Sequence, residues 1–171
     1  MLIVPIMLLE SNVSRLKPRV SMSIRRCEPK KVNEHVNPHW QVCYDVSMKK
    51  QISTKDAPDA NHVLSQAIEA NGFIFVSGQI HILPDNTLVD GSTKEKVTQI
   101  FKNIEAILLA SDSSLNAIVK VVVYVTDMAL MPELNEIYQT FFTEPYPVRE
   151  AVCVTSLPLG ANIEISVVAA K

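Results

Sequence analysis

Glycine is scarce in this chain, with four in 171 residues, and no Gly-rich segment has the spacing of a phosphate loop or a dinucleotide fingerprint. Nucleotide cofactors are therefore disfavoured. Three cysteines (Cys27, Cys43 and Cys153) leave one thiol over in any disulfide scheme, which favours a reducing compartment. No apolar run reaches the roughly 18–20 residues that a membrane span needs. The apolar start, Met1 to Leu9, is short and follows no basic segment, which argues against a secretory signal. Histidine is missing after His81, so neither Ser77 nor Cys153 has an obvious base for a nucleophilic dyad. Arginine is missing after Arg26 except at a single position, Arg149.

What is present suffices for one compact domain with an appendage: 47% of the residues are hydrophobic and 20% charged. The net charge of −2 conceals an asymmetry, since residues 1–50 carry nine Lys/Arg against four acids and the rest seven against fourteen. A main domain that acidic argues against a surface that tracks nucleic-acid phosphates. From Ser11 to Lys31 the basic residues are interleaved with serines, and Glu28 is the only acid. That composition fits a mitochondrial presequence and equally a basic tail of low order. The expected organisation is an extension, residues 1–47, followed by a domain over residues 48–171. Within the extension, Cys27, His35, His39 and Cys43 match no zinc spacing.

The domain has regular signals. His62–Ala70 and Gly72–Ile80 read as strands joined at Asn71-Gly72, a tight-turn pair. Ser92 and Glu95 have capping-box spacing ahead of an amphipathic helix running to about Ala110. Ala117–Thr126 is almost continuous in β-formers and reads as a strand covered on both faces. Pro132 suits the first turn of a second helix, with Leu134, Ile137, Tyr138 and Phe141 as its buried stripe. Val148–Thr155 and Asn162–Ala169 read as terminal strands. The order predicts an α+β fold, a mixed sheet with two helices on one face. Its other face then calls for cover by a partner subunit.

Arg149 stands in what reads as a buried strand. Alternation groups it with Ala151, Cys153 and Thr155, small side chains that leave room beside the guanidinium. Such a fork is a receptor for a small carboxylate. The competing reading is an internal ion pair with Glu164, which lies between isoleucines in the last strand. If Arg149 instead holds a ligand, Glu164 positions a water. Ser77-Gly78 reads as either a strand-end turn or a place where backbone approaches a ligand, and Asn135 as either solvated or site-lining.

These residues carry a resemblance. Ser53-Thr54-Lys55-Asp56-Ala57-Pro58, Phe75-Val76-Ser77-Gly78-Gln79-Ile80, Asn135-Glu136-Ile137-Tyr138, Pro147-Val148-Arg149 and Ile163-Glu164-Ile165 stand in the order expected of the YjgF/RidA family of reactive intermediate imine deaminases. The resemblance implies a chorismate-mutase-like fold and a homotrimer with ligand sites in the clefts between subunits. It implies hydrolysis of 2-imino acids or their enamine tautomers, such as 2-aminoacrylate, 2-iminobutanoate and 2-iminopropanoate, to 2-oxo acids and ammonia, without metal or organic cofactor. Arg149 would hold the carboxylate and Glu164 would position water, with Ser77, Gly78 and Asn135 lining the site.

The chain departs from the family at two places. Leu64 stands where active members usually carry tyrosine, and Ala151 where cysteine is frequent. Loss of one donor near developing charge costs on the order of 10²–10³ in rate. The alternatives to a deaminase are a non-catalytic binder of small carboxylates or regulatory trimer and, against the acidic charge balance, an endoribonuclease or translation inhibitor. The expected location is the cytoplasm, or the mitochondrial matrix if residues 1–47 contain a presequence.

Overall fold

A computed structural model describes residues 49–59 and 62–171; the extension predicted at residues 1–47, and the four His and Cys residues within it, lie outside them. Six strands form one sheet: β1 (Lys50–Ile52), β2 (Ala67–Ala70), β3 (Phe73–Ile80), β4 (Ile118–Val125), β5 (Val148–Cys153) and β6 (Ile163–Ala170). Their spatial order is β1-β2-β3-β6-β4-β5. Every neighbouring pair is antiparallel except β4 and β5, which makes the sheet mixed. Two helices complete the fold, α1 (Thr93–Leu109) and α2 (Met131–Tyr138).

The alternation of buried residues explains the layering. Ile74 and Val76 of β3, Val121, Val123 and Val125 of β4, and Ile163, Ile165 and Val167 of β6 pack in one core with Val97, Ile100, Phe101, Ile104 and Ile107 of α1 and Leu134 of α2. Each such side chain, fully buried, contributes roughly 1.5–3 kcal/mol. Among the described residues, much of the opposite face is left uncovered. Phe73, Phe75, Val148 and Val152 are exposed on it, as the sequence pattern anticipates for a sheet apolar on both sides.

Helix α1 starts where the capping box places it, with the Glu95 N–H donating to Ser92 Oγ at 3.3 Å and the Ser92 N–H to Glu95 Oε2 at 2.8 Å. The Asn71-Gly72 turn has φ of 52° and 78°, the left-handed geometry of a tight hairpin.

Three expectations need correction. The strand anticipated from His62 begins only at Ala67; residues 62–66 lie outside it, and the Gln66 side chain serves a loop. Its buried amide accepts from Thr54 N–H at 2.7 Å and donates to the carbonyls of Thr54, Ala57 and Pro58 at 3.0, 3.1 and 2.8 Å. Second, β5 is not buried: all six residues are exposed, since the strand pairs on one side only and ends the sheet. Third, Ser77-Gly78 is no strand end; it forms a bulge inside β3, between Val76 and Gln79. Strand β1, three residues long, carried no periodic signal.

Candidate functional site

Two groups of polar residues stand on opposite sides of the sheet. The first gathers at the edge strand. Arg149 is in register with Val121, a fully buried residue of the helix-covered face, and therefore leans toward α2. Its Cζ lies 4.6 Å from the centroid of the Tyr138 ring. Tyr138 ends α2 and is only 6% exposed, wedged against Phe101 and Phe142 at centroid distances of 6.1 and 4.7 Å. Asn135 stands three residues earlier, on the same side of the helix. Together with Gln139, Tyr146 and Pro147, these three side chains line a cleft of about 500 Å³.

This cleft holds one cationic side chain, Arg149. The salt bridges among the described residues are Lys50–Glu69, Lys120–Glu150 and Lys171–Glu69; Arg149 belongs to none of them. Its fork of donors is uncommitted. Asn135 Oδ1 and the Tyr138 hydroxyl are buried without a hydrogen-bond partner. Burial pushes the Tyr138 phenol up, with the Arg149 charge opposing. Ala151, two residues beyond Arg149 and paired with Val123, follows on the same side and is exposed.

The second group surrounds the bulge. Glu164 is in register with Tyr124 of β4 and Ile80 of β3. Its neighbours Ile163 and Ile165 are fully buried under the helices, so Glu164 projects to the uncovered face. Its carboxylate lies where a Cβ on Gly78 would stand, so a side chain at position 78 would have to displace it. Burial raises the Glu164 pKa above the usual carboxylate value. Ser77 is fixed beside it, its hydroxyl donating to the Ser65 carbonyl at 2.7 Å and its N–H to the Gln66 carbonyl at 3.0 Å. Leu64 immediately precedes Ser65 and is 47% exposed.

The ion pair between Arg149 and Glu164 is thereby excluded within one chain. Strand β4 separates their strands, Arg149 aligns with Val121 and Glu164 with Tyr124, and an odd offset of three residues puts them on opposite faces. They are separated by about 10 Å across the sheet and about 10 Å along it. Of the residues read from sequence, Arg149 and Asn135 share one cleft, while Ser77, Gly78 and Glu164 share the other cluster. Tyr138 and Tyr146 line the first without having been singled out. The spacing of Tyr138 three residues after Asn135 was the available signal for it. Among the described residues, no three His, Cys, Asp or Glu side chains are placed to hold a metal ion.

The fold and these two clusters define a class: a mixed α+β sheet with an uncommitted arginine on one side and a desolvated carboxylate on the other. The chain belongs to the family described as Endoribonuclease L-PSP, the YjgF/RidA family, whose model matches residues 54–171. It is 47% identical over 120 residues to "Protein MMF1, mitochondrial" of Saccharomyces cerevisiae, covering 70% of this chain and 83% of that protein. It is 38% identical over 125 residues to the Mus musculus protein named 2-iminobutanoate/2-iminopropanoate deaminase, covering 72% and 93%. The crystal structure of yeast Mmf1 superposes with a TM-score of 0.70 at 46% identity, over 72% of this chain and 98% of that one. The family thus includes imine deaminases.

Proposed function

We propose that this protein hydrolyses small 2-imino acids, or their enamine tautomers, to 2-oxo acids and ammonia, at sites assembled from two copies of the chain. The observation that carries the reading is the placement of Arg149 and Glu164 on opposite faces, the arginine without a counter-ion and the carboxylate without a cation. Neither group completes a site alone. The apolar uncovered face, with Phe73 and Phe75 exposed, supplies the surface on which a second copy would bury itself, in the homotrimer that the family resemblance implies.

In the joint site the Arg149 fork takes the substrate carboxylate in a bidentate pair, with Asn135 and Ala151 beside it. Ser77, Gly78 and Glu164 of a neighbouring copy approach the imine carbon. Glu164 orients a water and accepts its proton as oxygen attacks the C=N carbon. Addition to the protonated imine gives a neutral carbinolamine, which takes that proton back from Glu164 on nitrogen. As the C–N bond breaks and ammonia leaves, the hydroxyl gives its proton to Glu164 and becomes the carbonyl of the 2-oxo acid. A carboxylate whose pKa burial has raised is a better proton acceptor at neutral pH than an ordinary one. No step calls on a metal or organic cofactor. Leu64 at the edge of this cluster brings no hydroxyl, so turnover is expected to be slow relative to a site with a further donor.

A second reading, a carboxylate binder without turnover, is favoured by Leu64 alone. Binding of RNA is opposed by the net charge of −7 over residues 51–171. For location, the mitochondrial relative supports reading residues 1–47 as a presequence, with the cytoplasm as the alternative; no described helix is long and apolar enough to cross a membrane.

The test is release of ammonia and 2-oxobutanoate from 2-iminobutanoate, generated by an amino-acid oxidase with semicarbazide competing for the imine. Wild type accelerates hydrolysis. Arg149→Ala loses kcat/KM by on the order of 10–100-fold, the worth of charged hydrogen bonds. Absence of acceleration, with 2-oxobutanoate still bound, would leave the binder.

A further inference from the structure

Arg149 poses a mechanical problem. It is the long side chain of an exposed edge strand, and none of the salt bridges among the described residues restrains it. A guanidinium free to sample many rotamers is a poor receptor, because each binding event must first order it. A carboxylate partner would fix it but would also consume the in-plane donors that a ligand needs. An aromatic face avoids that conflict. It attracts the cation from below and leaves the N–H groups at the rim of the plane open to a carboxylate.

Tyr138 has the attributes of such a platform. The Arg149 Cζ stands 4.6 Å from its ring centroid, inside the range of a cation–π contact. The ring is itself immobilised, 6% exposed and packed between Phe101 and Phe142. Its hydroxyl is buried and meets neither solvent nor a hydrogen-bond partner, so the ring face is the part that acts on the cleft. From these contacts we infer that Tyr138 is a positioning residue, whose ring face holds the Arg149 guanidinium in the plane that receives the substrate carboxylate.

This inference rests on the proposed imine hydrolysis for its kinetic consequence, but the contact has a readout of its own. Protons of the Arg149 side chain above the ring are displaced upfield in the NMR spectrum, and Arg149→Ala identifies them. Tyr138→Phe keeps the displacement, whereas Tyr138→Leu abolishes it. In the imine assay Tyr138→Leu raises KM about 2- to 30-fold relative to Tyr138→Phe with kcat little changed, the span expected for a cation–π contact. Pentafluorophenylalanine in place of Tyr138 guards against a folding defect in the leucine variant. It keeps the ring's shape and reverses its electrostatic face, so KM rises as with leucine while the melting temperature stays near that of Tyr138→Phe.

Absence of the upfield displacement in wild type, or an unchanged KM with the fluorinated ring, overturns the platform. A displaced Arg149 signal together with full activity in Arg149→Ala would overturn the proposed function instead.

Discussion

Glu164 shows how much a single residue's surroundings decide. Among the described residues the carboxyl has no cation partner, and it lies over Gly78, partly withdrawn from water. Its pKa is raised by burial in the fold, so the folded chain binds this proton more tightly than the unfolded chain does. The associated stability is complete below the ordinary carboxylate range and is lost as pH rises through the raised value. Glu164→Gln removes that loss. The variant is expected to melt at a higher temperature than wild type at pH 7, and the difference should shrink on acidification to about pH 4. Thermal scans at the two pH values check it; equal melting temperatures at pH 7 would contradict the desolvation of this carboxylate. His81 acts in the opposite sense. It is buried, within hydrogen-bonding distance of the Val89 carbonyl at 3.0 Å and of the Asn162 N–H at 3.3 Å, and desolvation lowers its pKa. Its contribution is present above the ordinary histidine value and lost as pH falls.

Elements differ in how openly the chain announces them. Helix α1 was legible because its signals are local: Ser92 and Glu95 cap it, and Val97, Ile100, Phe101 and Ile104 repeat at its own period. Strand β5 was legible as a strand but not in its burial, since Val148 and Val152 are as apolar as core residues and only the sheet order shows them at an edge. The residues before Ala67 misled for a related reason. Val63 and Leu64 alternate like strand residues, yet Gln66 spends its amide on residues 54–58 instead of facing solvent. Arg149 and Asn135 share a cleft because the Arg149 side chain reaches the Tyr138 ring at the end of α2, a tertiary fact with no local trace. Glu164 was visible as an odd charge between isoleucines, but its face depends on register. Loop 54–58 should depend heavily on Gln66. Gln66→Leu leaves four backbone groups without their partner, and a loss of about 2–4 kcal/mol is expected in urea denaturation. A loss below about 1 kcal/mol would mean that water replaces the amide readily.

For the whole molecule, the decisive relation is between faces. Arg149 aligns with Val121 and Glu164 with Tyr124, so no rotamer change within one chain unites them. Under the proposed function each site needs an arginine from one copy and a glutamate from another. Arg149→Ala and Glu164→Ala are then each strongly impaired alone. Mixed by unfolding and refolding together, they should regain roughly a quarter of wild-type activity, because random cyclic assembly pairs two intact halves at about one interface in four. Refolding each variant separately and combining them afterwards is the control. No recovery on joint refolding would place the whole reaction within single chains.

The same arrangement has a genetic reading. Under the proposed function, a cell carrying one allele defective at Arg149 and a second defective at Glu164 holds no intact gene, yet its mixed assemblies would contain intact interfaces. The two defects complement each other, while two alleles damaged on the same face of the sheet do not. The sides of a β-sheet thereby sort loss-of-function alleles into two complementation groups within a single locus.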